Sequence, residues 1–137
     1  SYGYDDGDKL FPLKVPAEHL EWLEALPVYH KDDKRIFVHA GVPTDQNVEE
    51  APRQMMQWMM YEDGSDYRGA SYHEDCPHQS GLHVVHGHVQ SAAHPLQLPH
   101  RTNLDSFAWY TGRLAIGVFN DEQAGPVRFL EVSGPAY

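Results

Sequence analysis

Apolar positions fall into two regimes along the chain. Before Met60 they recur mainly at helical spacing, and beyond His78 they come in short strand-like bursts separated by turn residues. Leu20, Leu23 and Leu26 stand three apart with Trp22 beside them. Pro16 precedes them and suits a helix start, where its missing N–H has no intrahelical partner. The spacing predicts an amphipathic helix over Ala17–Leu26, stopped by Pro27. Arg35–His39 has the β-branched and aromatic character of a strand buried on both faces, and Ala40-Gly41-Val42-Pro43 breaks it. Met55, Met56, Met59 and Met60, with Trp58, predict a second helix over Glu49–Tyr61 whose methionine stripe serves core packing. Residues 62–79 form a polar loop of a length that signals function or disorder. Strands are predicted over Leu82–His86, Arg101–Leu104, Arg113–Phe119 and Val127–Val132. The last two form a hairpin around Asn120–Gly125, with Val127, Phe129 and Glu131 on one face.

Helix, strand, helix and then mostly strands imply an α/β fold that does not close a full sandwich by itself. The strand at 36–38 has no evident parallel partner upstream, so its edge and one sheet face are expected to be exposed. The chain of 137 residues suffices for one domain with a modest core. It opens on Ser1 rather than Met, as expected of a processed or excised piece, and shows neither a signal peptide nor a membrane-length apolar run. The formal charge of −10 argues against partners that need a positive field, namely nucleic acid and anionic membrane. A phosphorylated substrate would then need local cations. The lone Cys76 excludes an internal disulfide and agrees with a cytoplasmic location.

Histidine changes the picture. Seven of the 10 histidines lie between His73 and His100, and imidazole is the commonest metal ligand. Two stretches share a grammar. In Phe37-Val-His-Ala-Gly-Val42 a histidine ends a strand just before a turn, where ligands collect in open α/β sheets. In Val84-Val-His-Gly-His-Val89 a similar run ends in His-Gly-His, and Gly87 is expected to give His86 and His88 different roles. The plainer reading of a histidine at a strand end is a hydrogen-bonded core residue, and the residues alone leave both readings open. Cys76-Pro-His78 with His73 is a further candidate zinc loop, although its spacing matches no usual zinc pattern.

The order of Phe37-Val-His-Ala-Gly-Val-Pro43, Val84-Val-His-Gly-His88, Asn103-Leu-Asp105 and Tyr110-Thr-Gly-Arg-Leu114 resembles the bacterial branch of the phosphoprotein-phosphatase family. That family belongs to the calcineurin-like metallophosphoesterases and includes serine/threonine phosphatases and symmetrical dinucleoside tetraphosphatases. Leu20-x-x-Leu23 and Leu26-Pro-Val-Tyr29 are similar to the segment that precedes the His-Ala-Gly strand, so the resemblance runs to about Val132. It implies that residues 1–137 are the carboxy-terminal part of a four-layer α/β/β/α sandwich. It also implies two divalent metals (Mn, Fe or Zn) and hydrolysis of a phosphomonoester by a bridging hydroxide. By position, His39 and His88 match ligands of one metal. Apart from the resemblance, His86, one Gly from His88, is a candidate to orient that ligand, and Asp105 is a candidate either to accept a hydrogen bond from a ligand imidazole or to shape a turn at its strand end. The implied substrate is a phosphorylated protein, a dinucleoside polyphosphate or a small phosphate ester.

The family's Gly-Asp-x-His-Gly, Gly-Asp-x-x-Asp-Arg-Gly and Gly-Asn-His-Glu motifs do not occur in the sequence. They supply the other ligands, the bridging Asp, a phosphate-binding Arg and the general-acid His. No general acid is therefore assigned, and the isolated chain is expected to be inactive, self-associating or dependent on a missing amino-terminal half. Val89 stands where Thr is usual, and Ser106-Phe-Ala-Trp109 replaces a Thr-Gly-Ala type of stretch. Met60 occupies the place of an Arg that grips phosphate, which Arg68 could replace unless it is an ordinary solvated loop residue. The alternative reading is a non-catalytic metal-binding or protein-interaction module.

Overall fold

The computed structural model describes residues 15–59 and 76–136. The candidate residues Arg68 and His73, Met60, the opening of the chain and most of the 62–79 loop lie outside them. Helix α1 spans Ala17–Ala25, and strands β1 (Tyr29–Lys31) and β2 (Arg35–Val38) follow as a hairpin. The turn between them is set by Asp32, whose Oδ1 accepts from the backbone N–H of Lys34 and Arg35 at 2.8 and 2.7 Å. Helix α2 (Arg53–Trp58) is followed by β3 (His83–His86), β4 (Leu96–Leu98) and β5 (Arg101–Asn103). A one-turn helix α3 (Ala108–Thr111) leads into the antiparallel hairpin of β6 (Arg113–Val118) and β7 (Arg128–Ser133).

The first five strands form one mixed sheet in the order β1-β2-β3-β5-β4. Strands β2, β3 and β5 are parallel and adjacent, with β1 and β4 antiparallel at the edges. The fold is therefore α/β with a mixed sheet and few helices. The expectation of an exposed edge on the 36–38 strand fails. The polar Tyr29-His30-Lys31 pairs with its free side, and the alternation of that short segment was too weak to mark it as a strand. Parallel registration places Ile36 and Val84 on one face, where they form the core with Val42, Val48, Ala51 and Met56. The opposite face carries Arg35, Phe37 and Val85 and receives the β6–β7 hairpin. Phe37 meets Phe119 edge-on at 5.4 Å.

Arg35 fixes that second layer. Its guanidinium donates to the carbonyls of Asn120, Gln123 and Ala124 and pairs with Asp32 at 2.9 Å. It also lies 5.2 Å from the Phe119 ring centroid. The strand is thus not wholly apolar, because one buried cation satisfies the turn carbonyls of the hairpin above it.

Both helices are shorter than their patterns predict. Pro52 delays the start of α2, and Met59 leaves the helix with extended backbone while staying buried. Helix α1 buries no residue among those described, and Trp22, Leu23 and Leu26 are exposed. The outer face of the hairpin is also apolar. Leu114 registers with Val132 and Ile116 with Leu130, and all of them are exposed. Gly112 takes φ 67° where the hairpin begins, and a Cβ there would sit 2.5 Å from the Gly134 carbonyl oxygen.

Two outcomes follow from this packing. Arg35→Ala should cost about 1–3 kcal/mol in urea denaturation, because it removes the buried donor that the turn carbonyls share. A loss below about 1 kcal/mol would show that the hairpin is held by other contacts. The apolar hairpin face should drive association that grows with salt as the charge of −10 is screened. Leu130→Lys should reduce it on size exclusion, and a compact wild-type monomer at every salt concentration would contradict it.

Candidate metal centre

The carboxyl ends of β2, β3 and β5 lie side by side and lead directly into His39, Gly87-His88 and Leu104-Asp105. This is the edge at which open parallel sheets gather ligands. Four backbone and side-chain bonds shape it. Gly87 N–H donates to the His39 carbonyl at 2.9 Å, tying the β2 and β3 exits together. Val89 N–H donates back to the Gly87 carbonyl at 2.8 Å, closing a three-residue turn around His88. His86 Nδ1 contacts the same carbonyl at 3.0 Å, and Asn103 Nδ2 donates to the Val89 carbonyl at 2.8 Å.

His88 sits at φ 67° in the centre of this turn. An i→i+2 bond around a positive φ is the rare, strained γ-turn. A non-glycine residue in such a conformation costs on the order of 1–3 kcal/mol and persists only when its surroundings over-determine it. Buried His86 and Asn103 provide that restraint. Sequence reading missed Asn103 as a positioning residue. Its place beside β3 through β5 was the available signal, since a buried amide at a strand end must find partners.

The clustered histidines separate into two groups. His78, His83 and His86 are buried and use both ring nitrogens. His83 Nδ1–H donates to the Pro99 carbonyl, and its Nε2 accepts from the Thr102 hydroxyl at 2.8 Å. His86 Nδ1–H donates to Gly87, leaving Nε2 to accept from Arg101 at 3.2 Å. His78 takes the other tautomer, donating from Nε2 to the Gln46 carbonyl and accepting the Ser80 hydroxyl at Nδ1. It has no nitrogen left for the candidate zinc loop. His94 Nδ1 contacts the Asp105 carbonyl at 2.9 Å.

His39 and His88 differ from these. Neither ring forms a hydrogen bond among the described residues, and their centroids lie 5.1 Å apart at 58°. Two imidazoles sharing one ion through nitrogens about 2.0–2.1 Å from it place their centroids roughly 4.5–5.2 Å apart. The spacing therefore fits a shared ion. Trp58 packs against His88 at 5.7 Å with perpendicular rings. Burial holds the His88 ring below the usual histidine range, the neighbouring His39 acts in the same sense, and Asp105 opposes them. A ring kept neutral is the form that binds a cation.

Asp105 stands beside Gly87, with Oδ2 3.8 Å from where a Cβ would project. Its Oδ1 accepts the Phe107 N–H at 3.1 Å. His86 touches neither imidazole of the pair through its own hydrogen bonds, but acts on His88 through the Gly87 carbonyl. Among the described residues no group of three or more His, Cys, Asp or Glu side chains is placed to hold a metal. Two clefts meet at the imidazole pair. One, of about 440 Å³, runs towards the hairpin past Asp105, Leu104 and Ala108. The other, of about 560 Å³, involves α1 and α2 and includes Leu23, Arg53 and Trp58.

The buried imidazoles make stability depend on pH. Burial pushes His86 down to about 3, with the Arg101 charge adding to it, and holds His78 and His83 below the usual range. The unfolded chain takes up these protons near pH 6.5, whereas the folded chain resists them. Their contribution is intact above pH 6.5 and fades as the pH falls, that of His86 being lost towards pH 3. Urea unfolding between pH 7 and pH 4 should show a loss of about 3 kcal/mol or more from His86 alone. His86→Asn should flatten that slope, and an unchanged slope would contradict the neutral buried ring.

Among the described residues, no helix is long and apolar enough to cross a membrane. Comparison with protein-family models, with curated proteins and with solved structures finds no match to the chain.

Proposed function

We propose that this chain is part of a metal-dependent phosphoric-ester hydrolase of the phosphoprotein-phosphatase type. His39 and His88 hold one divalent ion, Mn, Fe or Zn, and polypeptide outside the described residues completes the site. One observation carries the reading. These two imidazoles meet at the carboxyl ends of adjacent parallel strands without a hydrogen bond among the described residues, and His88 is held there in a strained turn. The layering gives further support, because α2 covers one face of the mixed sheet and a β-hairpin covers the other. In the proposed four-layer sandwich these are the first three layers.

When bound, such an ion polarises phosphoryl oxygen and acidifies water. The chain's own residues do the positioning. His86 and Asn103 hold the turn, the Gly87 N–H ties it to the His39 carbonyl, and Asp105 sets a negative field beside His88. The second reading, a metal-binding module without turnover, is favoured by the lack of a third ligand among the described residues.

Calorimetric titration with Mn²⁺ and Zn²⁺ should show one site per chain that weakens in acid, because protons compete with the cation for the ring nitrogens. His39→Ala and His88→Ala should each abolish it. Asn103→Ala should weaken it about 10–100-fold by releasing the turn. Undiminished binding in the double histidine variant would overturn the assignment. Aryl-phosphate turnover on supplying the missing motifs in trans would favour the hydrolase, and binding without turnover would favour the module.

A further inference from the structure

A polar row crosses the sheet on the face beneath the β6–β7 hairpin. Arg35 on β2 and His83 on β3 are register partners. Thr102 on β5 pairs with Val85, two residues beyond His83, and Gln97 on β4 pairs with Thr102. Arg35, His83 and Thr102 are buried. The 119–126 turn of the hairpin sits on this row. Its carbonyls at Asn120, Gln123 and Ala124 accept from Arg35, and Phe119 packs on Phe37. A Cβ at Gly125 would lie 2.9 Å from Gln97 Nε2 and 3.4 Å from His83 Cε1, so bare backbone covers the imidazole. The start of the hairpin is held by Ser106, whose hydroxyl donates to the Arg113 carbonyl and accepts from the Ala115 N–H at 3.1 Å. Leu114 and Ala115 of the same hairpin line the cleft of about 440 Å³ that contains His39 and His88.

We propose that the β6–β7 hairpin is an acid-released flap, hinged at Ser106 and latched where its turn covers Arg35 and His83. While the His83 ring is neutral, Nε2 accepts from the Thr102 hydroxyl and the row is satisfied. A second ring proton makes Nε2 a donor, so that buried hydroxyl loses its acceptor. It also sets a cation beside the Arg35 guanidinium under one cover. Arg35 from β2 and His100 from the link between β4 and β5 both oppose a positive ring. Among the described residues no carboxylate answers it. Asp121 and Glu122 on the turn are exposed, and Asp32 is engaged with Arg35. Lifting the turn lets water reach both cations, so the released state takes the proton near pH 6.5 and the docked state resists it. Docking is therefore full above that pH and weakens below it. Strand alternation puts His86 and Arg101 on the opposite face with Val84, so the latch has its own histidine. Release moves Leu114 and Ala115 and opens one wall of the cleft.

Amide hydrogen exchange of the metal-free chain at low salt tests the flap without reference to the metal assignment. A two-stranded hairpin is marginal once undocked, so its amides report release. Between about pH 7.5 and about pH 5, protection factors across β6 and β7 should fall by about tenfold or more. The amides of β2 and β3 should stay better protected than the hairpin at the lower pH. His83→Gln keeps a polar partner for Thr102 but cannot titrate, and it should abolish the fall. In wild type the His83 ring resonances should titrate over the same pH interval in which hairpin protection is lost, a comparison that needs no variant. Four outcomes would overturn the proposal. They are equal hairpin protection at both pH values, the same fall in folded His83→Gln, an equal loss across β2 and β3, and hairpin loss at a pH where the His83 ring does not titrate.

Discussion

Burying an imidazole in the middle of a sheet is unfavourable unless both nitrogens find partners. Strand β3 carries a histidine at each end, and both are buried. His83 is satisfied by the Pro99 carbonyl and Thr102, whereas His86 is satisfied by Arg101 and the carbonyl of the next residue. That last bond shapes the site. It fixes the Gly87 carbonyl, which also accepts from Val89, so the chain turns tightly around His88. The strained ring then emerges beside His39 rather than continuing the strand. A desolvation requirement inside the sheet is thereby converted into the position of a side chain at its rim.

The same constraint explains why the histidine-rich stretch gave a mixed signal. Its count suggested metal chemistry, but His78, His83 and His86 serve as neutral hydrogen-bonding core residues. Only hydrogen-bond partners drawn from distant segments separate them from His88. Gln46 lies 32 residues from His78, and Thr102 lies 19 from His83. The two rings of His86-Gly87-His88 do differ, but the break in strand geometry falls at His88, with φ 67°, and not at the glycine from which it was expected.

Fold elements with strong local patterns were legible, including the strands around Ile36, Val84 and Ile116 and the final hairpin. The short strands Tyr29–Lys31 and Leu96–Leu98 were not, since their pairing is set by neighbours rather than by their own composition. Arg35 illustrates the limit most clearly. A charged residue at the start of an apolar run reads as a solvated strand end. Here it is buried because the 120–124 turn returns to cap it across more than 80 residues of chain. Asn103 stood out in sequence only as part of the Asn103-Leu-Asp105 stretch, and its positioning role comes from the Val89 carbonyl that lies beside it.

The central claim is that one histidine pair is available for a cation while the buried imidazoles are locked. Long-range nitrogen–proton correlation spectra of the histidine rings test it directly. The account predicts that His83 and His86 appear as neutral Nδ1–H tautomers and His78 as Nε2–H at pH 7. Added Zn²⁺ should then shift nitrogens of His39 and His88 alone. Shifts at His78, His83 or His86 with His39 and His88 unchanged would contradict it.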